Sequence, residues 1–245
     1  MRSTKGDSQA TQRKTPFVLL LCLGLVFVVL FALGSWQVQR LLWKQDLIAR
    51  VDARAHGQPV AAPMDWTNIT RDNSEYLRVR VTGQYQYDHQ QYVNALTELD
   101  GGFWVMTPLV TAEGATFYIN RGFIPTASKA AFEQQSNEAG NVTVTGLLRM
   151  PEPTAFLRTN DPEAGRWYSR DIATMATLAG VTQVAPYFID ADRGVDASAL
   201  PIGGMTQIRF PNNHLIYAIT WYGLAVLLVG MLVYVRKREK EGISD

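Results

Sequence analysis

His214 is the residue on which any chemistry in this sequence turns. It stands in Pro211-Asn212-Asn213-His214-Leu215-Ile216-Tyr217-Ala218-Ile219-Thr220-Trp221, and no charge follows it until Arg236. An ionisable, ligand-type side chain at the mouth of a membrane-length apolar run is costly to bury, so its presence there points to a function. At about 100° per residue, Ala218, Trp221 and Ala225 fall near the face of His214, with Tyr217 within a turn. An axial nitrogen ligand, small residues that leave room and aromatic rings to pack on are what a flat apolar macrocycle with a metal centre needs. A plainer role fits the same residues: Trp and Tyr anchor helices at membrane interfaces, and a boundary histidine can reach water or lipid headgroups.

A second marked place is Leu33-Gly34-Ser35-Trp36-Gln37-Val38-Gln39-Arg40, at the end of an earlier apolar run. If the two runs form a hairpin, Trp36, Gln37 and Arg40 lie near the depth of His214. The Arg40 guanidinium matches the carboxylate of a ligand in bidentate geometry. A lipid phosphate, or an acidic residue of the domain between the runs, matches it too, and we favour these slightly. The candidate cofactor-binding residues are therefore His214, Tyr217, Trp221 and Arg40, with His214 as candidate metal ligand.

The elements that must position these residues are two spans. Residues 15–39 and 210–235 carry no charge, and each can cross a hydrocarbon core of about 30 Å at about 1.5 Å per residue. The expected division is a tail at 1–14, a first transmembrane helix at 15–36, a domain at 37–210, a second transmembrane helix at 211–235 and a tail at 236–245. The run from Pro16 to Leu33 is longer than a secretion-signal core of about 7–15 residues, which favours an anchor. Arg2, Lys5, Arg13 and Lys14 at one end, and Arg236, Lys237, Arg238 and Lys240 at the other, place both termini in the cytoplasm. Arg40, Lys44 and Arg50 run against that rule, although long translocated domains tolerate such charges. The short first tail leaves little room for an organellar targeting peptide, so the expected location is a bacterial inner membrane, with the domain periplasmic. Cys22 is the single cysteine, which excludes an intrachain disulfide, a thiol pair for copper and a cysteine-type zinc site. A net charge of +1 without a basic aromatic stripe argues against nucleic acid as partner.

Past Trp36 the helical pattern continues amphipathically to about Ala55, and His56-Gly57-Gln58-Pro59 should stop it. The middle is strand-rich. Tyr76–Tyr87 alternates with period two, and shorter runs follow at Gln91–Thr97, Gly102–Val110, Ala115–Gly122, Asn141–Arg149 and Tyr187–Ile189. Helical patches are expected at Ser128–Asn137 and Asp171–Ala179, and a linker at Asp192–Gly204. The fold class is thus a membrane protein whose two transmembrane α-helices flank a strand-rich α+β periplasmic domain, an antiparallel sheet or small barrel. Asn120-Arg121-Gly122-Phe123-Ile124-Pro125 is expected to end a strand in a turn. Asp190–Asp196 lacks the later oxygen ligands of a calcium loop. His56 and His89 have no partner at ligand spacing, and no nucleophile is paired with a base, so an enzyme is not expected.

The segments around Gly34-Ser35-Trp36-Gln37 with Arg40 and Lys44, Asn120-Arg121-Gly122-Phe123-Ile124-Pro125, and Asn212-Asn213-His214 through Trp221 resemble, in this order, those of the surfeit locus protein 1 family. Fainter echoes are Tyr76–Tyr85 and Gly165-Arg166-Trp167-Tyr168; Phe123 stands where a tryptophan is common. The resemblance implies an assembly factor for cytochrome c oxidase that helps place haem a in the catalytic subunit. It implies that oxidase subunit as partner, with haem a synthase as a further candidate. It also implies that His214, at the start of the second helix, is the residue linked to haem a. A cofactor-free scaffold that holds an oxidase intermediate together is the competing reading.

Overall fold

The computed structural model describes residues 17–135, 139–152, 158–196, 198–208 and 210–241. In chain order the elements are α1 (Phe17–His56), β1 (Val60–Ala61), α2 (Arg71–Ser74), β2 (Arg78–Tyr85), β3 (Gln91–Thr97), β4 (Asp100–Val110), β5 (Thr116–Pro125), α3 (Lys129–Glu133), β6 (Val142–Arg149), α4 (Ile172–Leu178), β7 (Val184–Ala191) and α5 (His214–Glu241). Among the described residues they form two compact units, one from 17–48 with 210–241 and one from 49–208.

The first unit is helical. α1 runs unbroken for 40 residues and α5 for 28, and both are long and apolar enough to cross a membrane. Phe17, Leu21, Leu25, Val28 and Phe31 on α1, and Ile219, Val226, Leu227 and Val233 on α5, are exposed. Nothing between Phe17 and His56 breaks a helix, and Gly57 and Pro59 stand where α1 stops, as expected.

The second unit is a small barrel. Strand order is β1-β2-β6-β7-β5-β4-β3, and a further β2–β4 pairing, Gln84↔Val110 and Tyr85↔Leu109, closes five strands on themselves. In β2 the buried side chains are Val79 and Val81, which alternate with Arg78, Arg80 and Thr82, as the period-two pattern requires. Closure leaves fewer edges to protect than an open sheet. The expectation of an antiparallel sheet is corrected at two places: β5 pairs β7 in parallel, as β1 pairs β2. A parallel pair needs a long crossover, here the stretch holding β6 and α4 between β5 and β7.

β5 is covered on both faces. Phe117 and Ile119 join Val79, Leu109, Leu148, Tyr187 and Ile189 in one core, whereas Tyr118 joins Met106, Trp167, Phe188 and the α4 residues Ile172 and Met175 in another. That explains its nearly continuous apolar run. α4 begins at the expected place because Asp171 Oδ1 accepts from Thr174 N at 3.1 Å, and Gly180, at φ +66°, follows its end. The patch expected at Ser128–Asn137 is shorter, a 3-10 turn leading into α3; Asn137 lies outside the described residues.

Two further expectations change. β5 does not end at Gly122: a bulge between Trp104 and Met106 lets the β4 ladder resume at Trp104↔Phe123 and run on to Gly102↔Pro125. The Asp192–Gly204 linker is docked rather than loose, because Ile202 and Phe123 exchange backbone hydrogen bonds of 2.8 and 2.9 Å. Gly122 permits this approach. Its φ is +135°, and a Cβ there would stand 2.3 Å from the Ile202 carbonyl.

Tyr118 carries a testable cost. Its side chain is fully buried, its hydroxyl has no hydrogen-bond partner among the described residues, and burial pushes its pKa up to about 12. Tyr118→Phe removes the unpartnered group and keeps the ring, so stability should rise by about 1 kcal/mol. Denaturant unfolding of the full chain checks this; a loss of stability would reveal a partner for the hydroxyl.

Candidate functional site

His214 is the first residue of α5. Pro211 cannot donate a helical hydrogen bond, and the Asn213 carbonyl accepts the helix's early bond from Tyr217 N at 3.3 Å. The chain therefore turns into helix at the histidine itself, which leaves the imidazole at the helix mouth.

Contacts with α1 hold that mouth in register. Gly34 is buried, and a Cβ on it would meet the Tyr222 ring at 2.8 Å. Phe31 and Tyr222 lie edge to face at 5.5 Å. Ser35 Oγ donates to the Phe31 carbonyl at 2.9 Å and lies 3.1 Å from the Tyr222 hydroxyl. On α5, His214, Ala218, Tyr222 and Ala225 form one stripe; Ala218 and Ala225 are each 3% exposed. Small residues at such a seam let two helix backbones approach. The room expected over Ala218 for a flat ring is thus taken up by helix packing.

Within the seam, His214 Nδ1 lies 2.7 Å from Gln37 Oε1. With the amide oxygen facing the ring, a neutral His214 meets it by donating from Nδ1, and that form carries its lone pair on Nε2. Tyr217 and Trp221 lie together on one side of the stripe, at about 60° and 20° from His214 on a helical projection. Tyr217 is 53% exposed and Trp221 half-buried. Toward a haem these residues would offer one ring nitrogen facing away from the amide and two aromatic rings at the same end of α5, beside the stripe and not over Ala218. Arg40 is exposed, with its guanidinium 4.6 Å from the Trp43 ring centroid. It lies three residues past Gln37 and so close to that residue's side of α1. Lys44 Nζ lies 5.4 Å from the Phe210 ring.

Of the sequence candidates, then, His214, Tyr217 and Trp221 share one end of α5, and Arg40 lies a turn past Gln37 on α1. Gln37, which the sequence set at the depth of His214 without giving it a role, is the partner of His214. Its signal was its place between Trp36 and Arg40 at the expected depth of His214.

The barrel unit has its own polar centre, a cleft of about 450 Å³ lined in part by Trp104, Asn120, Arg149, Arg170, Asp190 and Thr206. Asp190 accepts from Asn120 Nδ2 at 2.8 Å, Arg149 Nη1 at 3.0 Å and Thr206 Oγ1 at 2.7 Å, and Arg170 Nη1 lies 3.6 Å away. Glu75 accepts from Arg149 Nε at 2.8 Å and from Met150 N at 2.9 Å. Glu152 pairs with Arg170. Burial alone would lower the Arg149 pKa; Asp190 and Glu75 outweigh it and raise the value above that of ordinary arginine. These charges satisfy one another, so the cluster reads as the barrel's internal tie. Arg121 sits in a cage nearer α3: it donates to Gln90 Oε1 at 3.2 Å and lies 5.1, 5.2 and 5.9 Å from the rings of Tyr85, Tyr87 and Phe132.

Two long apolar helices at the ends of the chain, a five-stranded barrel between them in sequence, and an imidazole presented at the second helix mouth define the class of protein. The chain belongs to the SURF1 family, whose model matches residues 24–226. Surfeit locus protein 1 of Homo sapiens is 34% identical over 242 residues, covering 91% of this chain and 79% of its own length. The mouse (Mus musculus) protein is 33% identical, with 91% and 77% covered. A SURF1-like protein of Monosiga brevicollis is 33% identical, with 86% and 85% covered.

Proposed function

We propose that this chain is a membrane-embedded assembly factor for a haem-copper cytochrome c oxidase, a chaperone of the respiratory chain that holds haem a and passes it to the catalytic subunit. The observation that carries the reading is the 2.7 Å contact of His214 Nδ1 with Gln37 Oε1 at the mouth of an apolar helix; a neutral ring donating to that oxygen has its lone pair on Nε2. Family membership and the exposed apolar surfaces of α1 and α5 support it. Haem a is cargo here and supplies the redox iron that the recipient enzyme uses. His214 Nε2 offers the one protein bond to that iron, Tyr217 and Trp221 pack beside the macrocycle, and Arg40 meets a propionate or a lipid phosphate. A single imidazole suits a carrier that must both hold and release. We place both termini in the cytoplasm of a bacterium and the barrel unit on the periplasmic side of the inner membrane, from the basic tails. Lipid, the oxidase subunit and haem a synthase are the proposed partners.

The experiment uses a host that makes haem a and an oxidase. Deleting this chain should lower the haem a content of the purified oxidase, and His214→Ala should behave as the deletion does. Full restoration by His214→Ala would replace the carrier reading with that of a cofactor-free scaffold.

A further inference from the structure

We infer that Gln37 is a positioning residue that fixes the tautomer of His214 and so decides which ring nitrogen is offered to a metal. The inference deepens the reading of His214 as a haem a ligand and rests on it. A neutral imidazole has one N–H and one lone pair, and either nitrogen can carry the proton. In water both forms are populated. At the mouth of α5 the Gln37 carboxamide oxygen faces Nδ1 at 2.7 Å, and an acceptor there is satisfied only by the form protonated on Nδ1. The lone pair then sits on Nε2, the nitrogen turned away from Gln37.

Gln37 comes from the other helix, so the ring's orientation is tied to the α1–α5 seam. That seam is set by the Gly34 approach to Tyr222 and the Ser35–Tyr222 contact. An acceptor on the far nitrogen also holds the ring in one orientation, as outer partners of metal-bound histidines do. Without Gln37, part of the population would present an Nε2 proton, which must be lost before any metal can bind.

The test uses the full chain in detergent with 15N-labelled histidine. Of the three histidines, the signal absent from His214→Ala identifies the site. Two-bond 1H–15N correlations then read the tautomer without haem. Wild type and Gln37→Glu, which keeps an acceptor, should show the proton on Nδ1. Gln37→Leu should show both tautomers. Titration with haem a should give Gln37→Leu an affinity about 10–100-fold weaker, with Gln37→Glu restoring it. A more basic ligand should also lower the haem reduction potential in Gln37→Glu. A wild-type proton on Nε2, or one tautomer shared by wild type and Gln37→Leu, overturns the role of Gln37. Unchanged haem a binding by His214→Ala overturns instead the ligand reading on which it rests, whatever the tautomer spectra give.

Discussion

Replacing Asp190 with Ala should cost the barrel unit about 3–5 kcal/mol, the usual penalty for removing one partner of a buried ion pair. The Asp190 side chain is 6% exposed and that of Arg149 12%. Its loss strips acceptors from three buried or half-buried donors at once: Asn120 Nδ2, Arg149 Nη1 and Thr206 Oγ1. Each donor has given up water to be there, and each then pays for desolvation without return. The comparison is Glu152→Gln, which touches the same two arginines from a side chain 47% exposed. Solvent screens that pair, so less than about 1 kcal/mol is expected. Denaturant unfolding followed by tryptophan fluorescence checks both; a loss below about 1 kcal/mol for Asp190→Ala would show that the cluster does not tie the barrel.

Replacing His214 with Ala should lower haem a affinity by more than the ~10–100-fold that loss of an outer partner costs, because the bond to iron itself goes. Little else should change. Among the described residues the side chain makes one hydrogen bond, to Gln37, worth about 1 kcal/mol. The seam below it is held independently by Gly34, Ser35 and Tyr222. The vacated space should admit free imidazole, so adding imidazole to His214→Ala should restore much of the bound spectrum. Absorption titrations with and without imidazole check this. Failure of rescue in a folded variant would mean that the ring does more than ligate.

The parts of this molecule legible in the sequence are those set by local pattern. The charge-free runs mark the apolar lengths of α1 and α5, because about 20 consecutive uncharged apolar residues make a helix long enough to cross a bilayer. Alternation in Tyr76–Tyr87 marks β2 because one face is covered and the other is wet. The sequence left an open antiparallel sheet and a small barrel as alternatives, since closure pairs Gln84 and Tyr85 with Val110 and Leu109, a match across intervening strands that no window of sequence contains. The parallel β5–β7 pair spans still more chain. At the site, His214 stands out because an ionisable group in an apolar run has a cost to explain. Gln37 does not stand out, because its role depends on how two helices are rotated against each other. That rotation is set by the missing Cβ of Gly34 and by the Tyr222 ring. The Asp190 cluster is hidden for a similar reason: Asn120, Arg149 and Asp190 come from three strands, and Arg170 and Thr206 from the segments outside them.

The central claim is that His214 Nε2 binds haem a, and the visible absorption spectrum of the protein purified from cells making haem a tests it most directly, with His214→Ala purified alongside. A haem a spectrum present in the wild type and lost in the mutant, at equal yield and fold, is the predicted result. A wild type without haem a despite its supply, or the same spectrum in both proteins, would contradict it.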